Sequence, residues 1–180
     1  MAIDSKAMAG CAFDSQTAKA VKGKDVLLMI LNSTKDAPLA VSGQQDLSWT
    51  IEMETNDADA TKDIGGDWTF KTAGAKSWSA SAGGMSSLDD EGHKAVVKAI
   101  VDGDPLCIGM YQRTKTETGY SYKPIRQGSA FATSDELEAN ADDNMTYSID
   151  FDGTGSCWTA ETATEEEIAS MTIATTVAAG

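Results

Sequence analysis

Basic residues are scarce in this sequence, and so are histidine, cysteine, proline and long apolar runs. The 180 residues hold 14 Lys and Arg against 28 Asp and Glu, a net charge of −14. A protein that grips nucleic acid needs a Lys/Arg footprint to displace counterions, so a deficit of this size argues against that class. Acidity in general speaks mainly of solubility. Cys11, Cys107 and Cys157 are odd in number and far apart, with no C-x-x-C pair. Neither a disulfide framework nor a zinc site is indicated, and Cys107, inside an apolar strand pattern, reads as a small buried hydrophobe. The longest aliphatic run, residues 26–31, falls far short of the roughly 20 residues of a membrane span. Met8-Ala9-Gly10-Cys11 resembles a lipoprotein cleavage site, but Asp4 and Lys6 precede it and no apolar stretch does. A secretory reading is therefore set aside, no membrane partner is expected, and the chain is expected to stay in the cytoplasm unless a larger assembly carries it out.

What the sequence does hold is alternation. In residues 46–54, Leu47, Trp49, Ile51 and Met53 alternate with Asp46, Ser48, Thr50, Glu52 and Glu54. A period of two sends the first set to one face of a strand and the second to the other. Residues 76–82 repeat the device, with Trp78, Ala80 and Ala82 against Ser77, Ser79 and Ser81. Residues 145–152 repeat it again, with Met145, Tyr147, Ile149 and Phe151 against Thr146, Ser148, Asp150 and Asp152. The acidic, glycine-containing residues 55–75 are too much chain for a simple hairpin and read as a long loop.

Further strands are expected at 26–31, 39–42, 106–112 and 120–133, the last interrupted by Pro124, which marks an edge or bulge, and by Gly128. One helix is expected over residues 87–102, capped by Ser86 or Ser87 and stopped by Gly103. His93, Val96, Val97, Ile100 and Val101 would form its apolar stripe. Glu165-Glu166-Glu167 is an acidic knot before a β-prone stretch at 171–177. The chain thus reads as one domain, mainly β with one packed α-helix, preceded by an arm or short helix over residues 1–22 and followed by a tail over 161–180.

Candidate chemistry is thin. Asp150-Phe151-Asp152-Gly153-Thr154-Gly155 with Glu161 at the twelfth place nearly fits an EF-hand loop. An EF-hand needs an entering helix, however, and the preceding residues alternate as a strand, so a strand running into a glycine turn is the better reading. His93 is the only histidine, with Asp89 and Asp90 one turn away. It lies on the apolar stripe and reads as packed rather than catalytic. Gly153-Thr154-Gly155 lacks the rest of a dinucleotide fingerprint, and no P-loop lysine exists. Trp49 and Trp78 stand on apolar faces and read as core. No catalytic residue, metal ligand or cofactor is expected, and the chain does not read as an enzyme.

Several motifs occur in order between Gly23 and Gly155: Lys22-Gly23-Lys24-Asp25 leading to Leu28; Thr61-Lys62-Asp63 with Gly65-Gly66 and Trp68; Ser77-Trp78-Ser79-Ala80-Ser81; the helix; and Tyr147-Ser148 with Phe151 and Gly153-Thr154-Gly155. In this the chain resembles the major tail tube proteins of long-tailed bacteriophages. The resemblance implies a tail-tube-type β-sandwich or barrel flanked by a helix. It also implies self-assembly into stacked hexameric rings, forming a hollow cylinder through which DNA leaves the virion without specific binding. The tail terminator, tape measure and baseplate proteins would be partners, and the virion tail, assembled in the host bacterial cytoplasm, the location. By the same likeness Asp57, Asp59, Lys62, Asp63, Asp67 and Trp68 would belong to an inter-ring loop, and either terminal segment could be an inter-ring arm.

The polar strand faces bear on that implication. Ser48, Thr50, Glu52, Glu54, Ser77, Ser79, Ser81, Thr146, Ser148 and Asp150 include no Lys or Arg, whereas an ordinary solvent face mixes both signs. A wall that is small, polar and negative suits a conduit for a polyanion, so these are the expected lumen residues. The competing reading is a monomeric β-sandwich module binding a carbohydrate or calcium ion through Trp68, Asp150 and Asp152.

Overall fold

The structure, a computed structural model, describes residues 21–31, 38–58, 70–87 and 89–176. A 3-10 turn at Gly23–Asp25 leads into β1 (Val26–Ile30), then β2 (Leu39–Ala40), β3 (Gln44–Ala58) and β4 (Phe70–Met85). Helix α1 (Glu91–Asp102) follows, then β5 (Leu106–Lys115), β6 (Gly119–Glu138), β7 (Thr146–Thr159), α2 (Glu165–Ser170) and β8 (Ile173–Thr176). The eight strands form one antiparallel sheet in the order β2-β1-β5-β6-β7-β4-β3, with β8 added on β6.

The two ends of that order come back together through one side chain. The amide of Gln44, first residue of β3, accepts from Leu28 N–H at 2.7 Å and donates to the carbonyls of Leu28 at 2.7 Å and Val41 at 2.8 Å. A primary amide carries the same donor and acceptor as a peptide, so Gln44 stands in for a neighbouring strand beside β1. Arg126 of β6 makes a second cross-link, donating to the Trp49 carbonyl at 3.1 Å. The sheet is thereby held as a barrel.

The core follows from the alternation. Trp49 and Trp78 are both buried and stack with centroids 4.7 Å apart and planes 2° from parallel. Leu28, Ile30, Val41, Val96, Ile108, Tyr147, Ile149 and Phe151 surround them. The Trp78 indole lies against the backbones of Gly128 and Gly153, where a Cβ on either glycine would fall inside the ring, and its Nε1–H donates to the Gly155 carbonyl at 3.1 Å. These glycines therefore mark no break in the sheet. β6 runs through Gly128 for 20 residues, and β7 continues past the expected glycine turn to Thr159. Pro124 sits at a bulge, as its missing N–H requires, because Met110 pairs with Arg126 and Tyr111 with Pro124.

Helix α1 begins later than expected. The Ser86 N–H is already engaged by the Met145 carbonyl at 2.8 Å, which prolongs the sheet, and Asp90 is the N-cap instead of Ser86 or Ser87. Its carboxylate accepts from His93 N–H at 3.0 Å and Gly92 N–H at 3.4 Å, and from the backbone and hydroxyl of Ser42, each at 3.0 Å. Gly103 ends the helix in the left-handed conformation, φ 74°, as expected. The buried stripe is rotated from the expected one. Gly92, His93, Val96 and Ala99 face inward, while Val97 is 40% exposed and Val101 78%. Small residues set this rotation, since a Cβ at Gly92 would strike the Ala40 carbonyl. Cys107 also departs from expectation, lying exposed on β5.

Two expectations follow. Trp78→Ala should cost about 3–5 kcal/mol of the roughly 5–15 kcal/mol that holds a domain together. Gly153→Ala, harmless to the backbone, should cost about 1–3 kcal/mol by overpacking the indole. Denaturant melts of both variants check this. The second expectation concerns pH. Burial works to raise the Asp90 carboxyl, but the hydrogen bonds from Ser42, His93 and Gly92 outweigh it and hold the group below its ordinary range. A depressed folded value means the cap contributes fully above the unfolded carboxyl's range and is lost as pH falls through the folded value. Asp90→Ala should therefore be less stable by about 1 kcal/mol near neutrality, and melts in increasingly acid buffer should show the gap closing.

Candidate functional site

Strand register gathers the polar stripes onto one surface. Ser48 of β3 lies opposite Ser81 of β4, Ser81 opposite Asp150 of β7, and Asp150 opposite Ser134 of β6. The next row is Thr50, Ser79 and Asp152, and beyond it Glu52 pairs with Ser77. On the other side come Asp46, Gly83, Ser148 and Glu136, then Thr146 beside Glu138. Because opposed residues share a face, the expected residues form one field across β3, β4 and β7. Glu54 stands at its margin, where the β3–β4 register shifts between Met53 and Thr55.

The field is finished by hydroxyls and carboxylates bonded to one another. Ser48 and Ser81 share a hydroxyl hydrogen bond of 2.8 Å, and the Ser134 hydroxyl donates to Asp150 at 2.7 Å. None of the residues in these rows is Lys or Arg. Lys76 pairs with Met53 and so belongs to the opposite face.

Sequence reasoning missed the fourth strand of this surface. Ser134, Glu136 and Glu138 of β6 join it, whereas the strand expected there stops at residue 133. A register shift between Ala132 and Ser134 hides the alternation. Once it is passed, Ser134, Glu136 and Glu138 alternate with Asp135 and Leu137, and that period was the available signal. The same shift leaves Phe131 opposite Asp152 as an aromatic on a polar face, 42% exposed.

The helix lies on the other side of β6. His93 Nε2 is 2.8 Å from the Asp135 carboxylate, and its ring is 5.4 Å from that of Tyr147. Its acid is thus neither Asp89 nor Asp90, and the histidine joins helix to sheet. Burial, and then the charge of Asp90, pushes the Tyr147 phenol up to about 12.

The expected long loop is strand at both of its ends. β3 extends to Ala58 and β4 begins at Phe70, so residues 55–58 and 70–75 form a two-stranded arm. Asp57 pairs with Lys71 on that arm; Asp59, Lys62, Asp63, Asp67 and Trp68 lie outside the described residues. The near-EF-hand sequence does not wrap as a loop, because Asp150 and Asp152 sit along β7 and Glu161 pairs with Arg126 at 3.4 Å. Among the described residues, no group of three or more His, Cys, Asp or Glu could hold a metal ion, and no helix is long and apolar enough to cross a membrane.

The barrel with its packed helix and two-stranded arm is a fold shared with several solved structures. The tail of an empty gene transfer agent particle, determined with C6 symmetry, matches with a TM-score of 0.61 at 19% identity, over 78% of this chain and 99% of that one. The SPP1 tail tube matches with a TM-score of 0.60 at 16% identity, over 76% and 77%. The extended sheath–tube complex of an extracellular contractile injection system matches with a TM-score of 0.53 at 12% identity, over 88% and 100%. No curated protein matches the sequence. The phage tail tube protein profile matches residues 20–158, and the chain belongs to that family. It is a structural, tail-tube-type protein, and its fold is similar to that of chains in phage, gene transfer agent and contractile injection system assemblies.

Proposed function

We propose that this chain is a major tail tube subunit that forms hexameric rings, and that the rings stack into the channel through which DNA is ejected. The observation that carries the bore assignment is the acidic and hydroxylic field on β3, β4, β7 and β6, interrupted by Gly83 and Phe131 but free of basic side chains. Duplex DNA carries about one charge per 1.7 Å of axis and is held by proteins that offer Lys or Arg to it. A wall of carboxylates and small hydroxyls offers no such minimum. Screening confines the repulsion to roughly 8 Å at physiological salt, so side chains facing the bore are the ones that count. The C6 symmetry of the gene transfer agent tail supports a sixfold ring for this chain.

Surfaces that a lone protomer leaves open also support assembly. Ile51 is 44% exposed and Met53 50% on β3 before the arm, and Val97, Val101 and Leu137 are exposed elsewhere. Apolar surface of this kind marks contact with another chain. Tail terminator, tape measure and baseplate proteins would meet the ends and interior of such a tube.

Electron microscopy and light scattering across a concentration series test the assembly, with rings or tubes expected. A strict monomer at high concentration would sink the proposal. For the bore, reversing Glu52 and Glu54 to Lys should leave particle formation intact and slow DNA ejection. Asp104→Lys, beyond α1 on the opposite side of the sheet, should leave ejection unchanged. Normal ejection from the Glu52/Glu54 particle would remove those residues from the channel wall.

A further inference from the structure

The strand lane beside β6 is filled twice, by two different parts of the chain. β7 accompanies β6 as far as the pairing of Thr159 with Arg126, and Ala160 N–H then donates to the Ile125 carbonyl at 2.8 Å. The next β6 residue is Pro124, which has no N–H to give, and there the ladder stops. The chain leaves through α2 and returns as β8, pairing Ile173 with Tyr122, Ala174 with Ser121, Thr175 with Tyr120 and Thr176 with Gly119. β8 thus resumes the lane β7 vacated and covers the remaining edge of β6.

Its hold is slight. β8 has four residues, and α2 has six and buries none of them. Ile168, Met171 and Ile173 are partly rather than fully buried, and Ala174 is exposed. The segment carries Glu165, Glu166 and Glu167 in succession, and α2 owes its start to a capping box between Thr164 and Glu167, a local device needing no contact with the barrel. This segment also lies beyond residues 20–158, the span shared with the family.

We infer that α2–β8 is a displaceable strap, and that the edge it covers, Gly119–Tyr122 of β6, is a strand-acceptor site for a second copy of this chain. An uncovered strand edge is a template for another strand. The same chain supplies a donor, since β3 lies at one end of the strand order, has a backbone ladder with β4 alone and runs for 15 residues. A free protomer keeps the acceptor closed, and a neighbouring copy opens it by competing for the same backbone groups. The inference rests on the tube reading and adds to it where copies join and what holds them apart beforehand.

The test locks the strap. Ser121→Cys with Ala174→Cys, in a full-length chain with Cys11, Cys107 and Cys157 replaced by Ser, places two thiols on directly opposed residues. Opposed Cα atoms lie about 4.5–5.5 Å apart, inside the span a disulfide bridges. The oxidised chain should stay unassembled at concentrations where the reduced chain forms rings or tubes. A second variant, ending at Ala163, should assemble at about tenfold lower concentration, equivalent to removing a closing step of about 1.4 kcal/mol. Circular dichroism confirms that it is folded. Equal assembly of oxidised and reduced chains would overturn the inference and leave the tube reading standing. So would a folded truncated chain that fails to assemble where the intact chain succeeds, since the segment would then bridge copies. If the intact chain never assembles, both readings fall.

Discussion

The stacked pair of Trp49 and Trp78 constrains the rest of the molecule. Two indoles held face to face fix how β3 lies on β4, and through the pairings of β4 they fix β7. The pair also dictates sequence at a distance. Trp78 rests where Gly128 and Gly153 have no side chain, so two strands must carry glycine in mid-run to accommodate one ring. Glycine in a strand ordinarily weakens it. Here the lost side chains are replaced by indole surface, and the strands continue unbroken.

Once the indoles set the inner face, the outer face has no freedom left. A residue moved by one position would change sides, so burying Trp49, Trp78, Ile149 and Phe151 compels Ser48, Ser79, Ser148 and Asp150 to face the other way. Core packing and surface charge are thus one constraint. The helix completes the separation by binding Asp135 through His93 on the core side, leaving Ser134 and Glu136 on the charged side.

Much of this was legible in the sequence, because period two is visible wherever a strand is half-buried. Residues 46–54, 76–82 and 145–152 announced both their strands and their faces. Legibility failed where geometry is set from outside the segment. The shift between Ala132 and Ser134 breaks the period and hid the acidic half of β6. Gly153 read as a turn because its purpose, room for Trp78, lies 75 positions away in the chain. The helix stripe was misplaced because Gly92 and Ala99, too small to register as apolar, set the contact. Thr164 and Glu167 did carry a capping-box signature, but beside consecutive glutamates it read as charge alone.

The Gln44 seam gives the barrel an uneven stiffness. Elsewhere, neighbouring strands are riveted by repeated backbone hydrogen bonds, and no single one decides whether two strands part. Between β3 and β1 the closure rests on one amide serving Leu28 and Val41, with Arg126 tying β3 to β6 further along. A cylinder with one such joint yields there first when squeezed or bent, and the Leu28 amide would register that breathing before any other part of the wall.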